Sequence, residues 1–310
     1  MNQRDIDERY MRRCLQLARC GEAGAAPIPM VGAVVVCDGR IIGEGYHRKC
    51  GEAHAEVNAI ASVREPELLS RSTIYVSLEP CAHYGKTPPC AQLIIDKKIP
   101  TVVVGCRDPF ARVDGRGISM LREAGIEVRE GVLERECLWL NRRFITFHTK
   151  HRPYITLKWA QSEDGYIDRL RTSDQEPAAR LSTPTTQALV HRLRSLNQAI
   201  LVGRRTWELD HPRLDVRHWT GHNPMPVVLS QKDIPTLLTE LYDKGVQSLL
   251  VEGGRETLQG FIDRGLWDEA RIETSPQRLG SGVKSPQIEG KIGQKLLIDG
   301  NTIALIYKIS

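Results

Sequence analysis

The 310-residue sequence has no apolar run of membrane-spanning length, few aromatic residues and no block of basic residues. Its densest apolar run, 31–36, has the length of a strand, whereas a membrane helix needs about 20 residues. The polar, charged opening 1–14 does not resemble a signal peptide. Aromatic residues make up only 5% of a chain with net charge +5, and a nucleic-acid-binding surface would need clustered cations with stacking aromatics. We therefore expect a cytoplasmic protein that binds neither membrane nor nucleic acid.

Cysteine is absent from the second half, since all eight cysteines lie within the first 137 residues. Without a secretory signal, free thiols are expected rather than disulfides. A chain of 310 residues is long enough for about two domains. A polar stretch that ends at Pro153 marks a change in composition. We place a first domain at 1–147 and a second at 151–310.

Both halves show strands that alternate with helices, which predicts α/β domains. In the first half, apolar residues at helical spacing indicate a helix at 6–20, and Asp38-Gly39 between two apolar runs indicates a hairpin. The remaining predictions there are strands at 73–78 and 101–105 and helices at 54–62, 90–98 and 118–124. In the second half, strands are predicted at 154–160, 198–203, 226–230, 247–252, 268–274 and 302–308, and helices at 184–195, 234–244 and 255–264.

Three metal-ligating residues stand at the ends of predicted elements. His54 starts a helix, Cys81 closely follows a strand and Cys90 starts the next helix. Two thiolates and one imidazole leave the fourth tetrahedral position of Zn²⁺ for water, which is typical of a catalytic site. Glu56 would shuttle protons, because hydrolytic deamination moves them from water to the ring nitrogen and the departing ammonia. The pattern predicts a zinc-dependent deaminase of the nucleobase type.

A closed structural zinc site is the main alternative, and it would need a fourth protein ligand. The candidates for that ligand are His83, Cys50 and Cys106. Buried free thiols, which pack as small hydrophobic groups, are the preferred interpretation of Cys14, Cys20, Cys37 and Cys106.

A long loop, HYGKTPP at 83–89, separates the two cysteines. With His54-Ala55-Glu56 and Val31-Gly32-Ala33, it resembles the pyrimidine deaminase half of the bifunctional riboflavin-biosynthesis deaminase/reductase family, over 5–147. The resemblance implies a cytidine-deaminase-like α/β/α fold. It also implies the substrate 2,5-diamino-6-ribosylamino-4(3H)-pyrimidinone 5′-phosphate, whose 2-amino group is replaced by oxygen. Three loop residues would contact that substrate: His83, Lys86 and Thr87.

One position departs from this family, because Pro27-Ile28-Pro29 stands where its members usually carry Pro-Asn-Pro. The asparagine side chain is placed to hydrogen-bond the substrate near the zinc, and isoleucine can neither donate nor accept. A substrate group left unpaired would cost about 1–3 kcal/mol. The expectation is intact zinc binding, with turnover that depends on whether Ile28 is tolerated.

The second half lacks the G-x-G-x-x-G of a Rossmann dinucleotide site. Two glycine-bearing segments, 201–206 and 251–257, follow predicted strands. Paired glycines at the start of a helix can expose backbone N–H groups to a phosphate, although most such pairs are plain turns.

The second half resembles the reductase half of the same family, a dihydrofolate-reductase-like α/β domain that uses NADPH to reduce the ribosyl group to ribityl. The resemblance rests mainly on Ser162-Glu163-Asp164-Gly165, on 191–194, on 199–214 and on Val251-Glu252-Gly253-Gly254. It implies that NADPH is bound by Ala160, Thr206, Asp210, Gly254, Arg255, Glu256 and Thr257. It implies that the substrate is faced by Arg194, Leu214, Arg217 and Glu252, with the arginines on its phosphate.

This half also departs from the family. Arg204-Arg205 replaces a small pair, Asp210-His211 replaces an aspartate pair, and Arg180 replaces a tryptophan. Only about 20 residues separate Ser230 from Val251, where the family has a longer segment that helps to hold the cofactor. We therefore expect a shortened reductase domain.

The leading hypothesis is a bifunctional riboflavin-pathway enzyme that contains zinc, uses NADPH, acts on a small phosphorylated pyrimidine and forms a dimer or tetramer. A monofunctional deaminase with a vestigial second domain is the first alternative. A catalytically inactive nucleotide-binding homologue is the second.

Overall fold

A computed structural model describes residues 2–22, 24, 27–83, 88–109, 115–230 and 233–309. The chain divides into two compact units, Met1–Thr149 and Lys150–Ser310. None of the helices in the described ranges combines the length and the apolar character that crossing a bilayer would require.

The first unit contains five strands and six helices in its described part. The strands are β1 (Gly32–Cys37), β2 (Arg40–Tyr46), β3 (Thr73–Leu78), β4 (Thr101–Cys106) and β5 (Glu127–Arg129). The helices are α1 (Gln3–Arg19), α2 (Ala55–Ala61), α3 (Cys90–Asp96), α4 (Arg116–Glu123), α5 (Glu134–Leu140) and α6 (Arg142–Lys150). A short 3₁₀ helix covers Pro66–Arg71. The sheet order is β2-β1-β3-β4-β5, with β3, β4 and β5 parallel.

The predicted hairpin forms at Asp38-Gly39, where both residues have positive φ (49° and 73°). Two positive φ values are what a two-residue turn between right-twisted antiparallel strands requires. On one face of the sheet, the core includes residues of α2, α3 and α4; on the other face it includes residues of α1 and α5. The unit is therefore a three-layer α/β/α sandwich, as predicted.

The second unit contains a seven-stranded sheet. Its strands are β6 (Tyr154–Gln161), β8 (Ala199–Gly203), β9 (Met225–Leu229), β10 (Ser248–Val251), β11 (Glu269–Thr274), β13 (Lys291–Ile298) and β14 (Asn301–Tyr307). The order is β13-β14-β11-β6-β10-β8-β9. A separate two-stranded sheet joins β7 (Tyr166–Asp168) and β12 (Val283–Lys284). The helices are α7 (Pro184–Ser195), α8 (Arg204–Asp210), α9 (Ile234–Asp243) and α10 (Arg255–Asp263).

One face of this sheet carries the main core, formed with α9 and α10. From β6, this core takes Ile155, Leu157 and Trp159, so the residues between them face the other side. A smaller core that includes Leu214 lies apart from it. Among the described residues between β9 and β10, the regular element is the helix α9.

The predicted strands and helices of both units are confirmed, with bounds shifted by a few residues. The sequence patterns missed the short or irregular elements, namely the 3₁₀ helix, β5, α5, α6, β7, α8, β12 and β13. Most of these have too few residues to show a period, and β13 is almost entirely exposed, so alternation of buried residues does not reveal it.

Candidate metal centre and the cleft of the second unit

Three elements of the first unit bring His54, Cys81 and Cys90 together. His54 is the residue before α2, Cys81 lies just beyond β3, and Cys90 is the first residue of α3. The His54 Nδ1 atom lies 3.6 Å from Cys81 Sγ and 3.3 Å from Cys90 Sγ. All three ligand atoms lie within 4.8 Å of one another.

These distances fit a tetrahedral zinc ion. Bonds of ~2.3 Å to sulfur and ~2.0 Å to nitrogen would hold a nitrogen and a sulfur ligand ~3.5 Å apart. The backbone N–H of Cys90 donates to Cys81 Sγ at 3.3 Å, which helps to orient one thiolate. The donor set is therefore suited to zinc in both chemistry and spacing.

The candidates for a fourth protein ligand do not join this group. Among the described residues, the cluster of close metal-ligating atoms has only the three members above. Cys50 is exposed, and the Cys106 thiol donates to the Ser77 carbonyl instead. His83 is exposed and outside the cluster. The fourth position is thus left for water or substrate, as a catalytic site requires.

Glu56 lies on the first turn of α2 with 4% of its surface exposed. Burial raises the pKa of Glu56 to about 7, while the neighbouring His54 acts in the opposite direction. A hydrogen bond with Cys90 lowers the pKa of the Cys81 thiol to about 4. A carboxyl group with a pKa near neutrality can both accept and return a proton, which suits a proton shuttle.

Glu79 is a buried carboxylate that the sequence analysis missed. Its oxygens accept backbone N–H groups from Gly115 (3.0 Å), Gly117 (3.0 Å), Ile118 (3.3 Å) and Asp108 (3.4 Å). Glu79 therefore joins the chain just before Cys81 to the start of α4, where a negative charge is favourable. The segment Leu78-Glu79-Pro80-Cys81 was the available signal.

At Gly117, a Cβ atom would lie 1.9 Å from the Pro80 carbonyl oxygen. Only glycine allows the first turn of α4 to approach the peptide that precedes Cys81 so closely. Gly117 and the Glu79 carboxylate therefore both stabilise the contact between the first turn of α4 and the chain before Cys81.

His47 was also missed. It is 1% exposed, and its ring centroid lies 5.7 Å from that of His54. Its Nδ1 atom is 3.2 Å from the Ala53 carbonyl, so Nδ1 carries the proton that it donates to this oxygen. Within the described part of the chain, its buried Nε2 atom has no hydrogen-bond partner. The Gly45-Tyr46-His47 sequence at the end of β2 was the only signal.

Ile28 is half-buried, and the backbone beside it is held in place. The Asn141 side chain accepts from Met30 N at 2.8 Å and donates to Met30 O at 2.9 Å. Of the three loop residues predicted to contact substrate, His83 is described and exposed, whereas Lys86 and Thr87 lie outside the described residues.

The second unit contains a cleft of about 1240 Å³. The residues predicted to bind NADPH all line it: Ala160, Thr206, Asp210, Gly254, Arg255, Glu256 and Thr257. They come from β6, from α8, and from α10 with the residue before it. Sequence positions almost 100 residues apart therefore meet in one cavity, whose volume is sufficient for a dinucleotide.

The glycines before α8 and α10 are explained by close packing. A Cβ atom at Gly203 would lie 2.3 Å from Thr257 Oγ1, and one at Gly253 would lie 2.7 Å from Thr257 Cβ. Thr257 thus occupies the space that larger residues would need. These glycines bring the ends of β8 and β10 close to α10, at the edge of the cleft.

The four residues predicted to face the substrate differ in their surroundings. Glu252 lines the cleft and accepts two hydrogen bonds from Arg194, both at 3.0 Å. Arg217 donates to the Asp215 carboxylate. Both arginines are therefore paired with carboxylates within the second unit.

Leu214 also differs from the expectation. It is 3% exposed and packs in the small core with Ile200, Val202 and Leu250. Its φ of 52° places it in the left-handed region, which is uncommon for leucine. The buried side chain has a packing role, because this core requires an apolar group there.

Several further charged residues of the cleft were missed, among them Lys158 and Arg171. Lys158, on β6, lines the cleft beside Glu252, and burial lowers its pKa. Arg171 donates to Asp168 at 2.7 Å and to Asp210 at 2.6 Å, which holds the Asp210 carboxylate. Only the fold brings these residues to the glycine segments, so spacing along the chain could not reveal them.

Comparisons with known proteins find matches for both units. Residues 4–106 match the family described as the cytidine and deoxycytidylate deaminase zinc-binding region. Residues 153–236 and 231–299 match the RibD C-terminal domain in two segments. The break between the segments falls in the connection that the sequence analysis expected to be shortened.

Riboflavin biosynthesis proteins RibD from Aquifex aeolicus and Escherichia coli are 37% and 41% identical, and each match covers 90% of both chains. The crystal structure of a Thermotoga maritima diaminohydroxyphosphoribosylaminopyrimidine deaminase/5-amino-6-(5-phosphoribosylamino)uracil reductase superposes with a TM-score of 0.89 at 32% identity, over 99% of this chain and 100% of that one. RibD from Acinetobacter baumannii gives 0.89 at 28% identity, with the same coverage.

The chain belongs to the RibD family of riboflavin biosynthesis proteins. The predicted family and its two folds, cytidine-deaminase-like and reductase, are confirmed. The protein is a bifunctional deaminase and reductase, with zinc as the metal of the deaminase and NADPH as the cofactor expected of the reductase family. Coverage of both halves argues against the two alternatives of a vestigial second domain and an inactive homologue.

Proposed function

We propose that the centre formed by His54, Cys81 and Cys90 deaminates 2,5-diamino-6-ribosylamino-4(3H)-pyrimidinone 5′-phosphate, and that the 1–147 domain carries this activity. The observation that supports the proposal most directly is the open fourth position beside a buried carboxylate. When bound, zinc would lower the pKa of a coordinated water towards neutrality.

Glu56 has the position and the environment for the proton transfers. It would accept a proton from the attacking water and return protons to the ring nitrogen and to the leaving amine. The bond between carbon and the amino nitrogen breaks, a bond between carbon and oxygen forms, and ammonia leaves. His83, Lys86 and Thr87 are proposed to hold the sugar phosphate end of the substrate.

Glu56→Ala tests this assignment in the full chain. We expect ammonia release to fall by about 100-fold or more with zinc still bound in equimolar amount, since the glutamate is not a ligand. The NADPH-dependent activity on the deaminated intermediate is the internal control and should be unchanged. Unaltered ammonia release would contradict the role of Glu56.

We further propose that the cleft of the 151–310 domain reduces the deaminated product. NADPH, held by the seven cleft residues named above, would supply the hydride that forms the new C–H bond at C1′. Conversion of ribosyl to ribityl breaks the bond between C1′ and the ring oxygen, and that oxygen must receive a proton. Lys158 is the proposed donor, because it lies in the cleft and burial lowers its pKa. Glu252 is proposed to bind the substrate, with Arg194 holding it.

Consumption of NADPH in the presence of the deaminated intermediate tests this activity through absorbance at the nicotinamide band. Lys158→Met should lower kcat by about 100-fold or more and leave ammonia release unchanged. A protein that releases ammonia but consumes no NADPH would overturn the reductase assignment.

We also propose a homo-oligomer, a dimer or tetramer. The edge strand β13 exposes Ile292 (62%) and Leu297 (76%), and an exposed apolar edge favours pairing with another chain. Light scattering after gel filtration should give at least twice the monomer mass. Leu297→Lys should lower it, with Lys295→Arg as a control on the same strand.

A further inference from the structure

Three neighbouring strands of the second unit align a row of charged residues. The register of β6 and β11 pairs Lys158 with Arg271. The register of β6 and β10 pairs Leu157 with Val251, so Glu252, the next residue, lies beside Lys158 on its other side. Adjacent strands are about 4.8 Å apart, so these are immediate neighbours.

The row lies on the face of the sheet opposite the main core. Leu157 and Trp159, on either side of Lys158, belong to that core, as do Ala270 and Ile272 on either side of Arg271. Because side chains alternate along a strand, Lys158 and Arg271 point to the same face. Two cations therefore stand next to each other.

Arg271 is poorly neutralised. It is 7% exposed, and its only ion pair in the described part of the chain is with Glu273, at 4.0 Å. Neither of its terminal guanidinium nitrogens has a hydrogen-bond partner among the described residues. Glu273 meanwhile accepts hydrogen bonds from Asn301 (2.6 Å) and Ser182 (3.0 Å).

The charged groups that act on Lys158 come from each neighbouring element. They are Glu252 beyond β10, Arg194 on α7, and Arg271 and Glu273 on β11. Two cations and two anions therefore surround Lys158, and Arg194 pairs with Glu252 through two hydrogen bonds. A guanidinium group cannot lose its proton in this pH range, so the fixed charge of Arg271 disfavours the protonated form of Lys158, whereas Glu252 acts in the opposite direction.

We propose that Arg271 is a positioning residue of the reductase, which acts through its fixed charge on Lys158 and makes that lysine a stronger proton donor. This inference rests on the role proposed above for Lys158. Direct contact between Arg271 and the substrate is disfavoured, because its terminal nitrogens are buried from solvent. Burial is the main cause of the lowered pKa of Lys158; Glu252 acts in the opposite direction, and Arg271 lowers the pKa further.

The pH dependence of the reductase kcat tests the proposal. A proton donor must be protonated, so kcat should fall as the pH rises through the pKa of Lys158. Arg271→Met removes the neighbouring cation and should move this descending limb up by about one pH unit or more. Arg271→Lys keeps the charge and is the matched control, with the limb close to that of the unaltered protein. Ammonia release should not change in either variant.

Arg271→Met should also preserve or raise the melting temperature, because it removes a buried cation without hydrogen-bonded partners. Arg271→Gln, which retains a polar side chain, should show the same shift in the descending limb of the kcat profile. It replaces Arg271→Met in the test if the methionine variant fails to fold. An unmoved limb in the folded variants would overturn the proposal. So would a Michaelis constant raised about 10-fold or more with no shift of the limb, since that result would place Arg271 in contact with substrate.

Lys158→Met separates this result from failure of the proposed function. Loss of reductase activity in Lys158→Met, together with an unmoved limb in Arg271→Met, would reject the inference about Arg271 alone. Retained activity with the same pH limb in Lys158→Met would reject Lys158 as the donor and the inference with it.

Discussion

Arg194 and Glu252 form a two-point ion pair at the cleft of the second unit, with both N···O distances 3.0 Å and side chains only 12% and 10% exposed. Removing one partner of a buried pair leaves an uncompensated charge, which is more costly than losing both. Arg194→Met should therefore lower the free energy of unfolding by about 3 kcal/mol. The double variant that combines Arg194→Met with Glu252→Leu should regain most of the free energy of unfolding lost in the single variant. Urea titration followed by tryptophan fluorescence suits this test, because four of the five tryptophans lie beyond residue 150. A loss below about 1 kcal/mol in the single variant would contradict a buried pair.

Glu79 should influence the metal centre without touching the metal. Glu79→Gln replaces an acceptor of four backbone N–H groups with an amide whose NH₂ would face donors. We expect zinc affinity to fall about 10- to 100-fold, as is common for groups that orient a metal ligand. Competition with a chromophoric chelator measures this change. Glu67→Gln, on the exposed 3₁₀ helix, is the matched control, and equal affinities in the two variants would show that Glu79 does not orient Cys81.

Ile28 is expected to limit the deaminase. Ile28→Asn would restore the side chain typical of the family on a segment whose backbone Asn141 already holds. Pairing a previously unpaired substrate group should raise kcat/KM for ammonia release about 5- to 100-fold. Ile28→Val, which cannot hydrogen-bond, is the control. If Ile28→Asn does not raise kcat/KM, another group of the unaltered site must already form the hydrogen bond to the substrate.

His191 should make the second unit sensitive to acid. It is 1% exposed, its ring centroid lies 4.7 Å from that of His218, and burial lowers its pKa below the usual 6.5. The folded state keeps His191 neutral, whereas the unfolded chain takes up a proton below about pH 6.5. Stability is therefore fully present above that pH and is lost as the pH falls, by at most about 1.4 kcal/mol per unit.

His191→Gln should flatten the pH dependence of the urea midpoint between about pH 7.5 and pH 5, as measured by tryptophan fluorescence. His222→Gln is exposed and should leave it unchanged. If the urea midpoint depends equally on pH in the unaltered protein, His191→Gln and His222→Gln, then His191 is protonated as readily in the folded state as in the unfolded one.

Much of the deaminase site was accessible from the sequence because its residues mark the ends of regular elements. His54, Cys81 and Cys90 stand at junctions of strands and helices that periodicity predicts, and the zinc ligands are chemically distinctive. Glu79 was not accessible, since a glutamate before a proline has no meaning until α4 is placed against it. His47 was missed for a similar reason, since its contacts are with Val31, Ala53 and His54, which only the fold brings to it.

In the second unit, the predicted cofactor residues meet in one cleft, but only the family resemblance singled them out. The resemblance did not reveal the pairing of Arg194 with Glu252 or the burial of Leu214. The ion pair and the buried leucine both depend on neighbours that are far away in the sequence. A sequence motif does not show which charged residues pair with each other.

Local chemistry along the chain was sufficient for the alternation of strands and helices, the Asp38-Gly39 turn and the three zinc ligands, because each depends on residues close together in the sequence. The register between β10, β6 and β11 required the tertiary structure. That register places Glu252, Lys158 and Arg271 side by side although more than 90 residues separate the first two. The electrostatic field in the cleft depends on distances through space, which no pattern of residue types encodes.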